Sequence, residues 1–353
     1  MKRIVLFDQD MQHYRQSIYN YFDIEFQKYG YSLVVYYDRK LNTDNSCSIF
    51  HSIKYSFKYF LNTVNKEDAD IVILFVWLKY YHLLPFMAYI RIIKQNVKLI
   101  TWSKGINIHR PNQTIKNQLY FLRQKLSHAL LLYSKENIEH VKNEYHKKSF
   151  IAPNTLNFTA FAEIRETKQE LKEYYGYKGS KVVLMIGRLD VHRRKPELFL
   201  EVCEKLQDDD YYVIIIGGGL SQNKVDRISK CPNIDYLGSI YQENIINRYY
   251  KMADVFCMPG RIGLALNHAF YYENPVVLER IPQGAEVTLF EDGKNGLYFS
   301  PGDAKDMYNK LKTILWDKNI AAKYSIEAKN SVDKHASINQ MFDGFIGAIK
   351  YVS

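Results

Sequence analysis

Cysteine is scarce in this chain, with four among 353 residues (Cys47, Cys203, Cys231 and Cys257) and no two of them in a Cys-x-x-Cys pair. A disulfide framework and the usual zinc spacings are thereby excluded, and a reducing compartment is the default. Long apolar runs are missing too. IVILFVWL after Asp70 and VVLMI after Lys181 have strand length, and nothing reaches the roughly 20 residues of a membrane span. The amino-terminal MKRIVLF enters a strand at once, without the hydrophobic region and cleavage site of a secretory leader, so the expected location is cytoplasmic. No Asp/His cluster has ligand spacing, and no metal is expected. No RNP, helix-turn-helix or zinc-finger pattern occurs, so a nucleic-acid partner is not expected despite the net charge of +10.

What is present is length for two cores and 47% apolar residues to fill them. The first half alternates RIVLF, a helix from about Arg15 to Lys28, YSLVVYY, a helix across Phe50 to Leu61, IVILFV and a helix near His82 to Ile93. VKLITW, a helix from about Thr114 to Leu126, ALLLYS, a helix from Lys135 to Tyr145, and IAPNTLN as last strand and exit turn complete it. Short apolar strands separated by helices predict the α/β class with parallel, doubly wound sheets. Charge is uneven along the chain: residues 1–155 hold 22 Lys and Arg against 12 Asp and Glu, whereas residues 156–353 hold 26 of each. The first half either faces something anionic, such as the inner face of a membrane or a lipid-linked diphosphate, or presents a solvated basic surface.

The stretch from Asp254 to Asp303 carries most of the functional signal. VFCM reads as a buried strand, and PGRIG as a glycine loop opening an apolar helix. Such a junction offers backbone N–H groups and the positive end of a helix to an anion, and a diphosphate suits it; glycines that merely end a strand are the structural alternative. From about Lys181 to Asp303 the chain resembles the second domain of retaining GT-B glycosyltransferases of the GT4 type. VVLMIGRLD is similar to the family's first strand and Gly-Arg-Leu turn there, and YYVIIIGGG to its next strand with a glycine-rich end. IDYLGSIYQENIINRYYKMADVFCMPG follows its strand, Leu-Gly turn, helix and strand ending in Pro, and EDGKNGLYFSPGD its Asp-Gly-x-Asn-Gly ending.

The resemblance implies a GT-B fold, with two Rossmann-like domains facing across a cleft. Residues 1–160 are then the acceptor domain, 161–335 the donor domain, and 336–353 a helix crossing back to the first; Ile338, Phe342, Phe345 and Ile349 give that helix one apolar stripe. It implies no cofactor, but a nucleotide-diphosphate sugar as co-substrate. The implied reaction is a retaining, metal-independent transfer to a glycan or lipid-linked acceptor, in surface polysaccharide or glycoconjugate assembly. Where the family carries two glutamates eight residues apart, this chain has Gly260 and His268. The form GLxxxHAxxxxxPVV resembles a branch with His on the helix and a Glu in a downstream Gly-x-Glu loop, here Glu286. Glu286 and His268 are therefore expected to grip the donor together, with Gly187, Gly218, Gly260, Ile262, Gly263 and Leu264 around it.

Charge building on a departing diphosphate needs cations. Arg188 in IGRLD is the first candidate, Arg194 or Lys195 in HRRKP the second, and Lys104, beside Gly105 in TWSKGINIHRPN, takes the place of a family His. Asn107 and His109 in that segment are expected on the acceptor side. So is Arg15, whose planar fork suits phosphate where the loop after the first strand, DQDMQHYR, lacks glycine. The missing glutamates keep a second reading open, a GT-B relative that binds nucleotide sugar or glycan without transferring it.

Overall fold

A computed structural model describes residues 1–9, 11–38, 48–75, 83–106, 114–189, 194–205 and 211–353. The chain divides into two units, Met1–Asn157 with Ser337–Ser353, and Phe158–Ala336.

The first unit contains β1 (Lys2–Asp8), β2 (Tyr31–Tyr37), β3 (Phe50–Ser52), β4 (Ile71–Phe75), β5 (Lys98–Ser103), β6 (Ala129–Leu132) and β7 (Ser149–Ile151), in the order β3-β2-β1-β4-β5-β6-β7. Every pairing is parallel. The cause is visible in β4, whose IVILF is buried at all positions, as a strand covered by helices on both faces must be.

The second unit contains β8 (Lys181–Ile186), β9 (Tyr211–Ile216), β10 (Ile234–Tyr236), β11 (Val255–Met258), β12 (Val276–Glu279) and β13 (Gly296–Phe299), ordered β10-β9-β8-β11-β12-β13 and again all parallel. Strand order reverses between β8 and β11. In a parallel sheet the loops leaving those two strands part company at the carboxyl edge, which opens a crevice there.

Three local expectations are corrected. Phe50 to Leu61 is not one helix: Phe50–Ser52 adds an edge strand to β2, with Val35 paired to Phe50, and the helix is Phe57–Lys66. Ser56, extended at φ −151°, makes the break. Lys135 to Tyr145 forms two 3-10 turns, Lys135–His140 and Asn143–Lys148, because Val141 adopts an extended conformation to bury its side chain against Leu130 and Leu132. Gln124 satisfies the backbone at this interruption, donating to His140 O and accepting from Lys142 N. The last strand ends at Ile151, ahead of Pro153, which has no N–H to extend a ladder.

The final helix, Ile338–Val352, starts in a capping box between Ser337 and Gln340. Its stripe of Ile338, Phe342, Phe345 and Ile349 is buried, each side chain contributing about 1.5–3 kcal/mol. Phe342 meets Phe22 and Phe26, and Phe345 meets Trp102. A Cβ on Gly344 would fall 2.2 Å from Ile151 O, so the helix lies on β7 at a spacing only glycine permits. Among the described residues no helix is long and apolar enough to cross a membrane.

Candidate functional site

The carboxyl edge of the second unit's sheet gathers most of the residues singled out in the sequence. Arg188 leaves the end of β8 between two anchored neighbours: Gly187 N–H donates to Ile216 O (3.0 Å) and Leu189 N–H to Gly218 O (2.9 Å). Its side chain is exposed. Gly218 is where strand ends crowd, since a Cβ there would lie 2.5 Å from Ser239 Oγ, whereas one on Gly187 would make ordinary contact, 3.6 Å from Arg194 Nε.

The next two cations have separate tasks. Arg194 spans the crevice from the β8 loop to the β11 loop, where its guanidinium donates to Ile262 O (2.7 Å) and to Arg261 O. Lys195 adopts the left-handed region at φ 43°, which costs a non-glycine residue on the order of 1–3 kcal/mol. Its Nζ pairs at 2.5 Å with Glu279 Oε1 at the end of β12.

The loop Pro259 to Leu264 is internally tied. Gly260, at φ 80°, donates its N–H to Glu279 Oε2 (2.8 Å), and Ile262 N–H donates to Gln283 Oε1 (3.1 Å). Gln283 Nε2 closes the ring by donating to Gly260 O (2.9 Å). This corrects the expectation that the whole loop backbone presents itself to a diphosphate: the N–H groups of Gly260 and Ile262 already have protein acceptors. Gly263 and Leu264 follow at the entrance to the helix Ala265–Tyr271, and Leu264 itself takes the helix N-cap position.

His268 faces a neighbouring helix, whereas Glu286 belongs to the turn after β12. His268 sits on the helix face toward Glu243–Met252, with Nε2 at 2.7 Å from Asn247 Oδ1. The ring stacks on Tyr250 (centroids 4.0 Å apart, 16° between planes) and also touches Tyr272 and Phe161. Burial pushes its pKa down to about 3. With Nε2 committed to the amide oxygen, only Nδ1 remains as an acceptor, so the ring is a packing and hydrogen-bonding element between two helices. Glu286 lies in the turn Ala285–Leu289 after β12, buried, on the sheet edge that bears the cations.

In the first unit, Lys104 follows β5 with its Nζ 5.6 Å from the Tyr133 ring centroid. Gly105 fixes that turn: at φ 83°, an added Cβ would be 2.9 Å from His140 Cβ. Arg15 is buried rather than presented to an acceptor. Its NH1 pairs with Asp8 Oδ2 (3.0 Å) and donates to the Tyr19 hydroxyl oxygen (3.2 Å), while the guanidinium lies over Phe75 and Trp102. Asp8 holds the Arg15 pKa well up against the opposing effect of burial. Asn107 and His109 lie outside the described residues.

Glu279 and Gln283 went unnoticed in the sequence. The one available signal was a carboxylate closing the apolar run PVVL, a position where an unpaired charge would be strongly unfavourable.

The two parallel doubly wound sheets, of seven and six strands, match those of GT-B glycosyltransferase structures. Residues 180–317 match the protein family described as Glycosyl transferases group 1. The sulfoquinovosyl transferase SQD2 of Arabidopsis thaliana is 28% identical over 159 residues, which is 44% of this chain and 30% of that protein. The chain thus matches less than a third of the length of that curated relative. A glycosyltransferase structure from Rickettsia africae superposes with a TM-score of 0.77 at 15% identity, covering 99% of this chain and 98% of its own. The structure of HepE from Anabaena in complex with UDP gives 0.76 at 14% identity, covering 99% and 100%.

Proposed function

We propose that this protein is a glycosyltransferase of the GT4 type. It takes a sugar from a nucleotide-diphosphate donor at the carboxyl edge of the second unit's sheet and passes it, with retention, to a glycan or lipid-linked acceptor. The observation that carries this reading is the convergence of Arg188, Lys195, the 259–264 loop and Glu286 at the ends of β8, β11 and β12, within the segment matching the group 1 glycosyl transferases. Parallel strands put these loops on one edge although up to 98 residues separate them in sequence.

In this reading Arg188 and Lys195 stabilise the charge that accumulates on the leaving diphosphate, and Glu286 accepts hydrogen bonds from donor hydroxyls. Arg194 acts at one remove, bracing the glycine loop through its carbonyls. The acceptor hydroxyl attacks from the face the diphosphate leaves, and a diphosphate oxygen helps take its proton, so neither a carboxylate nucleophile nor a metal is required. The excess of cations in residues 1–155 supports an anionic partner for the first unit, a lipid-linked acceptor or the inner membrane surface that presents it.

The test is a thermal-shift panel of UDP, GDP, ADP, dTDP and CMP with their common sugar conjugates, UDP first because HepE holds it. A ligand at 100 times its dissociation constant is expected to stabilise by about 2.7 kcal/mol. The product anomer read by NMR, and turnover unchanged by chelator, then check retention and metal independence. If no nucleotide raises Tm, the reading gives way to a relative that does not turn over nucleotide sugars.

A further inference from the structure

Glu279 closes β12 with its side chain fully buried, at the centre of the edge just described. Its carboxylate collects donors from three different loops. Lys195 Nζ reaches Oε1 at 2.5 Å from the loop after β8, and Gly302 N–H reaches the same oxygen at 2.8 Å from the loop after β13. Gly260 N–H reaches Oε2 at 2.8 Å from the loop after β11. Gln283 reinforces the arrangement by donating to Glu279 O (3.3 Å) and Gly260 O. A carboxylate buried this far is tolerable only because a cation and two amides surround it.

Lys195 supplies the counter-charge that so buried a carboxylate requires, and its own conformation and exposure point further. Lys195 is held left-handed at φ 43° immediately before Pro196, where a proline already disfavours helical conformations of the preceding residue. The strain therefore falls on the residue whose ammonium is delivered to Glu279. Lys195 keeps 38% of its side chain exposed while its partner has none, so the pair has one buried end and one end open to a ligand.

We propose that Glu279 is a positioning residue for the transfer: by holding Lys195 and the loops of Gly260 and Gly302 on one carboxylate, it sets the ammonium where the leaving diphosphate gathers charge. This rests on the nucleotide-sugar reading above. Replacement by glutamine keeps the size but turns one acceptor atom into a donor facing a donor, and removes the charge that orients Lys195.

The experiment is a double-mutant cycle on the full chain with Glu279→Gln and Lys195→Met, reading Tm, affinity for the nucleoside diphosphate, and kcat and KM for the corresponding nucleotide sugar. Glu279→Gln is expected to lower kcat at least about tenfold while changing donor KM less than about threefold, and to add less than about threefold on the Lys195→Met background. Glu279→Asp, which keeps the charge and shortens the reach, is expected to lose kcat while retaining Tm, and it stands in if the glutamine variant does not fold. Losses that multiply across the two sites, or a fall in Tm with kcat intact, overturn the positioning role. A wild-type protein that binds no nucleoside diphosphate overturns the donor reading and this inference with it. Wild-type binding and turnover with an unaltered Glu279→Gln variant overturn this inference alone.

Discussion

Arg188→Ala is expected, on the proposed transferase reading, to lower turnover of the nucleotide sugar at least about a hundredfold, the loss that removal of one charge-stabilising donor commonly brings. The geometry supports so large a value. The backbone on either side of Arg188 is hydrogen-bonded to the end of β9, so the guanidinium leaves a fixed point on the sheet edge. Arg194 nearby is committed to loop carbonyls and Lys195 to Glu279, and neither can move to replace it without releasing its own partner. Because Arg188 is exposed, its replacement should shift stability by no more than about 0.5 kcal/mol, and a loss of turnover cannot then be blamed on unfolding. Arg188→Lys should recover only part of the rate, since an ammonium lacks the planar fork that grips two oxygens. Steady-state kinetics beside a melting curve decide the matter. An alanine variant with most of its turnover removes Arg188 from the catalytic set.

Acidification is expected to destabilise the second unit through His268. The imidazole is held near pKa 3 by burial, against about 6.5 in an unfolded chain. Between those values the unfolded state binds a proton that the folded state refuses. The stabilisation is therefore complete above about pH 6.5 and is lost as pH falls, at up to about 1.4 kcal/mol per pH unit. His268 as a whole residue is half-buried, and allowing for that access of solvent places the loss by pH 4.5 nearer about 2 kcal/mol, or roughly 4–8 °C in Tm for a unit of this size. His268→Phe should keep the stacking on Tyr250 and flatten the slope of Tm against pH. It should also be less stable at pH 7.5 by about 1–3 kcal/mol, because Asn247 Oδ1 loses its donor. His128 in the first unit, depressed to about 4 by burial and by Arg91, Lys98 and Lys148, leaves a residual slope in both proteins. A Phe variant with an undiminished slope would show that His268 does not cause it. Donor affinity reduced by more than about twofold at unchanged Tm would return His268 to the donor pocket.

The elements that were legible in the sequence are those whose cause is local. VVLMI, YYVIII and VFCM are continuous apolar runs, and continuous apolarity is what a strand covered on both faces requires. The stripe of Ile338, Phe342, Phe345 and Ile349 was legible for the same reason, as helical periodicity. Phe50 to Ser52 leaves no local signature, because three residues on a sheet edge carry no periodicity and the partner strand β2 decides their state. Val141 gives no local warning either, because the demand that breaks the helix comes from Leu130 and Leu132 in the core.

Polar roles followed another rule. His268 looked like a donor ligand until Asn247, 21 positions away on another helix, supplied its hydrogen bond. Arg15 looked like a phosphate fork, but Asp8 at the end of β1 claims it. The alternation of strands and helices, the parallel sheets and the placing of glycines and cations after strand ends are readable along the chain, because they follow from the periodicity of burial and from local backbone geometry. Which polar group each of those residues meets depends on the packed fold. Lys195 and Glu279 are 84 positions apart, and their contact depends on the order in which β8, β11 and β12 lie side by side, which no local pattern encodes.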